Sequence, residues 1–374
     1  MSKMLIFGGA FDPPHNEHVE MCRYAMRTLD IASVVLVPTY LPPHKSEGFL
    51  TFDERCALAK IAFEGFDVKI DTIERDRGCN NYSSEVLPIL KQKHGDIVYL
   101  IGGDSIAHFD TWHRPDIVAN VCPIAVVSRE GYGDTQKKVD ELKNSYGGDF
   151  TVLNYKGRDI SSSLIKARLL LGEYVDEIPV KVMDAIKSRR LFENYRSKVT
   201  QLKSYQTEEL FAHSIAVVKR AVDFNSKHHL QQNFNRVFLS ALLHDNAKQR
   251  PSVDGLNVPE DAIGTPVLHQ FLGAEKAKRD FGIEDGCILD AIRYHTTARA
   301  GMTKLEKLIY TADSLSDDRE YAPIPKLREI AKKDFEAGFL ATLDYTYNKL
   351  KAKGGAIYSL TLDAYKYYID NDNE

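Results

Sequence analysis

Met4-Leu5-Ile6-Phe7-Gly8-Gly9-Ala10-Phe11-Asp12-Pro13-Pro14-His15-Asn16-Glu17-His18 is the stretch on which the first half of the chain turns. Four apolar residues lead into paired glycines, and an amphipathic run from His18 to Leu29 follows. A short continuous apolar run suits a strand buried on both faces of a sheet. Paired glycines let backbone approach an anion closely. A helix beginning near His15 would turn its N-terminal N–H groups and the positive end of its dipole toward that same anion. His15 and His18, three residues apart, share one face of the first turn and can donate hydrogen bonds to phosphoryl oxygens as charge builds on them. By itself the stretch is also readable as a glycine turn beside two surface histidines.

The same grammar repeats outward. Met4–Phe7, Val34–Val37, Val68–Ile70, Ile97–Ile101, Ile124–Val127 and Thr151–Leu153 are short apolar runs, and most are rich in β-branched residues. Amphipathic stretches over His18–Leu29, Phe52–Glu64, Ser84–Gln92, Lys137–Tyr146 and Ser162–Leu171 separate them. Strand-helix alternation of this kind predicts an α/β layer structure, a doubly wound parallel sheet. After about Glu193 the strand signal stops. Phe211–Phe224, Phe234–Ala247, Gly273–Phe281, Ile288–His295, Lys304–Asp313, Ile324–Lys333 and Phe335–Lys351 carry apolar residues at spacings of three and four, so the second half is expected to be all-α. The expected domains are residues 1–194 and 195–374, joined through the polar segment Lys187–Gln206.

Composition sets the outer bounds. The chain has 374 residues, room for about two to three domains. Its 43% hydrophobic and 27% charged content is that of a globular protein. A net charge of −4 argues against gripping nucleic acid or anionic lipid through bulk charge. No apolar run reaches the ~18–20 residues of a bilayer span, so no membrane contact is expected. Five scattered cysteines without a C-x-x-C pair suggest neither a disulfide framework nor a thiolate zinc site, and fit a reducing cytoplasm.

A second phosphate motif lies at Ile160-Ser161-Ser162-Ser163-Leu164-Ile165-Lys166-Ala167-Arg168. Three hydroxyls at a helix N-terminus can simply cap it. With Lys166 or Arg168 they can also cradle a phosphate. Together these stretches resemble the nucleotidylyltransferase superfamily with its H-x-G-H signature, and within it the bacterial nicotinate-nucleotide adenylyltransferases. Gly8–His18 is similar to the family's G-G-x-F-D-P-x-H-x-G-H, Pro42–Lys45 to its P-P-H-K, Asn81–Ser83 to its S-Y-T, Gly102–Asp104 with Trp112 to its G-x-D…W, and Ile160–Lys166 to its I-S-S-T-x-I-R. The resemblance spans nearly all of residues 1–192. It implies a Rossmann-like fold and transfer of AMP from ATP to nicotinate mononucleotide, with Mg²⁺ assisting and pyrophosphate leaving. On the matching positions His15, His18 and Lys45 would contact the ATP phosphates, and Ser161, Ser162 and Lys166 would help hold them, with Arg168 nearby. Ser83 and Trp112 would sit against the pyridine ring, and Gly8, Gly9, Phe11 and Asp104 would line the substrate. Three positions depart from the pattern. Glu17 stands where the signature has glycine, Lys166 where it has Arg, and Ser163 where it has Thr.

In the second half, His213, His244-Asp245, His269, His295 and Asp313 each lie on or at the end of a separate expected helix. Carriers on different helices can converge in a bundle core, and buried imidazoles and carboxylates find their partner in a cation. This order, H…HD…H…H…D, resembles the HD-domain phosphohydrolases, and more narrowly the bacterial family that hydrolyses diadenosine tetraphosphate symmetrically to ADP. Leu243–Lys248, Ala291–Thr297 and Ile309–Asp313 with Arg319 also match it, while Ala298 stands where a glycine usually follows. The resemblance implies two metals, one held by His213, His244, Asp245 and Asp313, the other by Asp245, His269 and His295. It favours two Fe, with Mn or Zn compatible with the same donors. Lys248, as a catalytic cation, and Arg319 would meet the polyphosphate. The tail beyond about residue 330 carries amphipathic helices to which the sequence assigns no role.

The expectation is therefore a bifunctional cytoplasmic enzyme acting on small nucleotides, with a homo-oligomer left open. Two rivals stand beside it. The first half could serve nicotinamide mononucleotide or phosphopantetheine, or, because of Glu17, it could be a weakened nucleotide-binding module regulating an HD hydrolase.

Overall fold

A computed structural model describes residues 3–40, 49–78, 81–128, 134–155, 157–158 and 160–370. Residue contacts divide the chain into two compact units, one comprising residues 1–166 and 174–192, the other 167–173 and 193–374.

The first unit is built on six strands: β1 (Met4–Gly9), β2 (Ser33–Pro38), β3 (Asp67–Ile70), β4 (Ile97–Gly102), β5 (Ile124–Val127) and β6 (Phe150–Leu153). All pair in parallel, in the order β3-β2-β1-β4-β5-β6. Every strand read from the sequence is present. Burial explains why they were legible: all six residues of β2 are buried, and alternating exposure appears in β3, at one edge. Ile6, Val35, Ile97, Ile101 and Val126 form the core of one face, closed by Leu87, Leu90 and Phe109 from the helical layer. The chain leaves β1 for β2 on one side and returns through β4 on the other, so strand order reverses between β1 and β4. In open parallel sheets that crevice, at the carboxyl ends of the strands, is where ligands bind. Gly8 and Gly9 end one of these two strands and Gly102 the other.

The second unit contains no strand among its described residues. Its helices include Arg196–Tyr205, Glu208–Lys227, Phe234–Leu243, Leu268–Phe281, Gly286–Arg293, Lys304–Ser314, Ile324–Lys333, Phe335–Ala352 and Ser359–Tyr365. Two readings of the sequence change. The polar stretch expected to be a linker contains the helix Arg196–Tyr205, because Val199 and Leu202, three apart among charges, are buried. The short helices Ile73–Arg77, Gly103–Ala107 and Pro115–Val121 were not anticipated, since at five to seven residues they span less than two full turns. No helix among the described residues is long and apolar enough to cross a membrane.

Candidate functional site

In the first unit the helix Asn16–Leu29 starts directly after His15. The backbone N–H of His15 donates to His18 Nδ1 at 3.2 Å, and the two rings stack with centroids 3.6 Å apart. This bond uses one of the donors that a helix N-terminus leaves unpaired, and it fixes the His18 ring. His15 Nε2 lies 3.0 Å from Ser162 Oγ, although the two are 147 residues apart. The glycine-histidine stretch and the serine stretch thus form one site. Ser161 does the blander job, its Oγ accepting the Leu164 N–H at 3.3 Å as a helix cap. Lys166 is paired with Asp12, so the cation matching the family's arginine stands at the same loop.

A Cβ at Gly8 would meet no atom nearer than 3.8 Å. Nothing among the described residues demands glycine there, which is what a position left open for close approach of a ligand requires.

Other expected residues fall differently. Phe11 is 1% exposed and packs edge-on against Phe7 and Phe63, so its ring is core and not a substrate contact. It supports the site indirectly, its ring centroid 5.2 Å from that of His18. Arg168 pairs with Glu173 at 3.0 Å in the second unit. Ser83 Oγ lies 3.4 Å from the Tyr99 hydroxyl. Trp112 is half-buried on Phe109, with centroids 5.0 Å apart. Asp104 stands in the first turn after β4, where a Cβ on Gly102 would collide with its carboxylate. Lys45 and the rest of Pro42–Lys45 lie outside the described residues. Sequence reasoning missed His113, which stacks on Tyr82 at 4.4 Å with Nδ1 3.0 Å from Ser84 Oγ. Its place directly after Trp112 was the available signal.

Glu17 is buried, and its carboxylate faces the loop after β6. Oε2 accepts the backbone N–H of Arg158 at 3.1 Å and lies 3.5 Å from the Tyr155 hydroxyl. A Cβ on Gly157 would collide with it. The charge that the sequence places beside the phosphates is engaged by a loop of this same unit.

The second unit brings all six expected ligands together. His213 Nε2 lies 3.0 Å from Asp313 Oδ1 and 3.4 Å from His244 Nε2. His269 Nε2 lies 3.3 Å from His295 Nε2. Asp245 stands between the two groups. Its Oδ1 faces His269 and His295 at 3.4 and 3.5 Å, and its Oδ2 faces His244 at 3.5 Å and His213 at 3.9 Å. The trios His213, His244, Asp313 and His244, Asp245, His295 each offer ligand atoms close enough to share one ion.

The outer atoms of the rings explain the inward aim. Nδ1 of His244, His269 and His295 each lies 2.7 Å from a main-chain carbonyl, of Ala241, Pro266 and Ile292. A carbonyl only accepts, so Nδ1 carries the proton and Nε2 turns a lone pair inward. His213 uses a carboxylate instead, its Nδ1 2.8 Å from Asp318 Oδ2. Lone pairs facing each other at such distances repel unless a cation lies between them. Asp245 Oδ1 is buried without a hydrogen-bond donor. The donor set therefore fits divalent metal.

Electrostatics agree. Burial holds His269 neutral, lowering it to about 4, with the neighbouring His295 adding to the effect. Burial opposes ionisation of Asp313, but the Arg319 guanidinium beside it holds the carboxyl far below the usual range. Lys248 Nζ lies 2.7 Å from Asp245 Oδ2, and an Arg319 guanidinium nitrogen 2.6 Å from Asp313 Oδ1. Both expected cations are at the centre.

Comparison with known proteins adds to this geometry. The family description "Cytidylyltransferase-like" matches residues 6–168 and "HD domain" matches residues 210–318. A Mycoplasma genitalium protein named "Probable nicotinate-nucleotide adenylyltransferase/Ap4A hydrolase" is 26% identical, over 93% of this chain and 99% of that protein. A "Probable nicotinate-nucleotide adenylyltransferase" of Clostridium acetobutylicum is 31% identical over 51% of this chain and 100% of its own length. A "Bis(5'-nucleosyl)-tetraphosphatase, symmetrical" of Halalkalibacterium halodurans is 33% identical over 46% of this chain and 95% of its own.

Proposed function

We propose, from the premise that this chain belongs to the nicotinate-nucleotide adenylyltransferase family and carries an HD phosphohydrolase domain after it, that it is a bifunctional nucleotide enzyme of the cytoplasm. The first domain, residues 1–194, transfers AMP from ATP to nicotinate mononucleotide and releases pyrophosphate. The second, residues 195–374, cleaves diadenosine tetraphosphate symmetrically into two ADP.

The observation supporting the transferase is the contact of His15 with Ser162, which joins both phosphate motifs beside the β1–β4 crevice. A mononucleotide phosphate oxygen would attack the α-phosphorus of ATP as its bond to pyrophosphate breaks, and Mg²⁺ would help neutralise the phosphates. Such a transfer has little covalent work for the protein, so catalysis is positioning and neutralisation of charge. His15, His18 and Lys166 would supply that charge complement, and Ser162 would hold His15 in place. Ser83 and Trp112 would sit against the pyridine ring.

The observation supporting the hydrolase is that Asp245 gives one oxygen to each half of a six-ligand centre. His213, His244, Asp245 and Asp313 would hold one iron, and Asp245, His269 and His295 the other. Manganese or zinc would suit the same donors. When bound, such a pair supplies a hydroxide near neutral pH and a clamp for in-line attack on phosphorus. The chain's own part is to hold each imidazole in the ligating tautomer through Ala241, Pro266, Ile292 and Asp318. Lys248 and Arg319 would leave their carboxylates to meet the polyphosphate.

One set of incubations tests both halves. The purified protein is given ATP with nicotinate mononucleotide, ATP with nicotinamide mononucleotide, and diadenosine tetraphosphate after metal loading. Dinucleotide formation favouring nicotinate is expected, and ADP as the sole nucleotide product of the tetraphosphate. Products AMP and ATP would overturn the symmetrical cut, and preference for nicotinamide would overturn the substrate assignment.

A further inference from the structure

The HD match ends at residue 318, yet the chain continues through the helices Phe335–Ala352 and Ser359–Tyr365. The second of these reaches the loop that carries a metal ligand. Thr361 Oγ1 donates to the carbonyl oxygen of Thr297 at 3.0 Å, with both residues almost fully buried. Ala364 belongs to the same apolar cluster as Ala298, Met302, Tyr310 and Phe339. The Tyr368 hydroxyl accepts the Met302 N–H at 2.6 Å.

On its other side the loop meets Gln270, which is fully buried. Its Oε1 accepts the N–H groups of Thr296 and Thr297, each at 3.1 Å, and its Nε2 donates to Thr297 Oγ1 at 2.9 Å. Gln270 directly follows His269, so one side chain couples the carriers of both histidines in that half of the centre. The clamped loop places the Thr296 hydroxyl 3.0 Å from Nε2 of both His269 and His295. It also holds Ala298 at φ 59°, in the left-handed region where a Cβ is unfavourable. A residue persists there only when its surroundings over-determine the backbone, and Gln270 and Thr361 are those surroundings.

We propose that the segment Phe335–Asp370 braces the His269–His295 half of the metal centre, with Thr361 and Gln270 as positioning residues that set where His295 and the Thr296 hydroxyl stand. The other half draws on different supports, Ala241 for His244 and Asp318 for His213. Tyr310, one turn before Asp313, shares the apolar cluster, so it is the hydrogen bonds of Thr361 and Gln270, and not the apolar packing, that act on one ion of the pair. The proposal rests on the two-metal assignment above. Hydrogen bonds to the ligands' own outer atoms typically change metal affinity by about 10- to 100-fold, and the brace acts on the same ligands through the loop backbone.

The test is titration of metal-stripped full-length protein with Mn²⁺, counting bound ions by loss of the free-ion magnetic resonance signal. Wild type is expected to bind two ions. Thr361→Val should leave the first affinity unchanged and weaken the second by about 10- to 100-fold, and Thr361→Ser should restore it. Tyr368→Phe, which keeps the ring and its packing, should weaken the second ion alone in the same sense. Two ions bound with unchanged affinities in Thr361→Val would overturn the brace and leave the metal assignment standing. Equal weakening of both ions would mark general loosening and also overturn it. A wild type that binds fewer than two ions would overturn the metal assignment, and the brace with it.

Discussion

Glu17 accepts a hydrogen bond from the backbone N–H of Arg158 at 3.1 Å, tying the first turn of the helix after β1 to the loop after β6. An acidic residue at the glycine of the phosphate signature is thus part of the scaffold. Glu17→Gly removes the acceptor of the Arg158 N–H, at a cost of about 1 kcal/mol, and loosens the loop. It should lower the melting temperature and slow adenylyl transfer, whereas Glu17→Gln, which keeps an acceptor oxygen, should stay near wild type. Faster transfer by Glu17→Gly would contradict this assignment.

His15 and Ser162 act as a unit because their side chains touch. His15→Ala is expected to reduce adenylyl transfer by about 10²–10³-fold, the range for losing one donor to a developing oxyanion. Ser162→Ala should cost less, and the double variant no more than His15→Ala alone. Full additivity in that cycle would show that the contact does not matter to the reaction.

Asp245 faces both groups of imidazoles, and Asp313 only that of His213 and His244. Asp245→Asn should therefore weaken both ions and abolish cleavage of the tetraphosphate, while Asp313→Asn should chiefly weaken one. Chelation should stop the same cleavage reversibly, and transfer assayed with added Mg²⁺ should survive it. Elemental analysis of each variant provides the check.

Acid should weaken the first unit through Asp71. Its carboxyl is buried, which disfavours charge, but hydrogen bonds from Lys93 and His94, each at 2.8 Å, hold its pKa below the ordinary 3.8. A carboxylate more acidic in the folded state contributes stability above that ordinary value, and the contribution fades as pH falls through the depressed one. Asp71→Asn should lower stability at neutral pH and flatten its decline below about pH 4. An unchanged pH profile in the variant would exclude Asp71 as the group responsible.

Thiol reactivity should follow burial. Burial pushes the Cys22 thiol up to about 12 and Cys122 up to about 11, whereas Cys287 is exposed. The thiolate is the reactive form. Mapped alkylation at pH 8 should label Cys287 quickly, and Cys22 and Cys122 only after unfolding.

The six strands, the all-helical second half and the six side chains that converge in it are legible in the sequence because each has a local signature. Strands buried on both faces are short β-branched runs, amphipathic helices repeat at three and four, and ligating residues are chemically distinctive wherever they stand. Features without such a signature were misread. Val199 and Leu202 sit among charges and passed for linker, and Phe11 lies in a binding motif but spends its ring on Phe7, Phe63 and His18.

By itself the sequence determined which segments could pair as a parallel sheet and which side chains could meet phosphate or metal. Only the tertiary structure decided who meets whom: Ser162 with His15, each oxygen of Asp245 with its own pair of imidazoles, Glu17 with Arg158, and Thr361 with Thr297. Those partners are 64 to 147 residues apart except around Asp245, and side-chain periodicity speaks only to neighbours within a turn or a strand. Contacts across such separations are set by how layers pack and by which buried polar group must find a partner, and both exist only once the chain has folded.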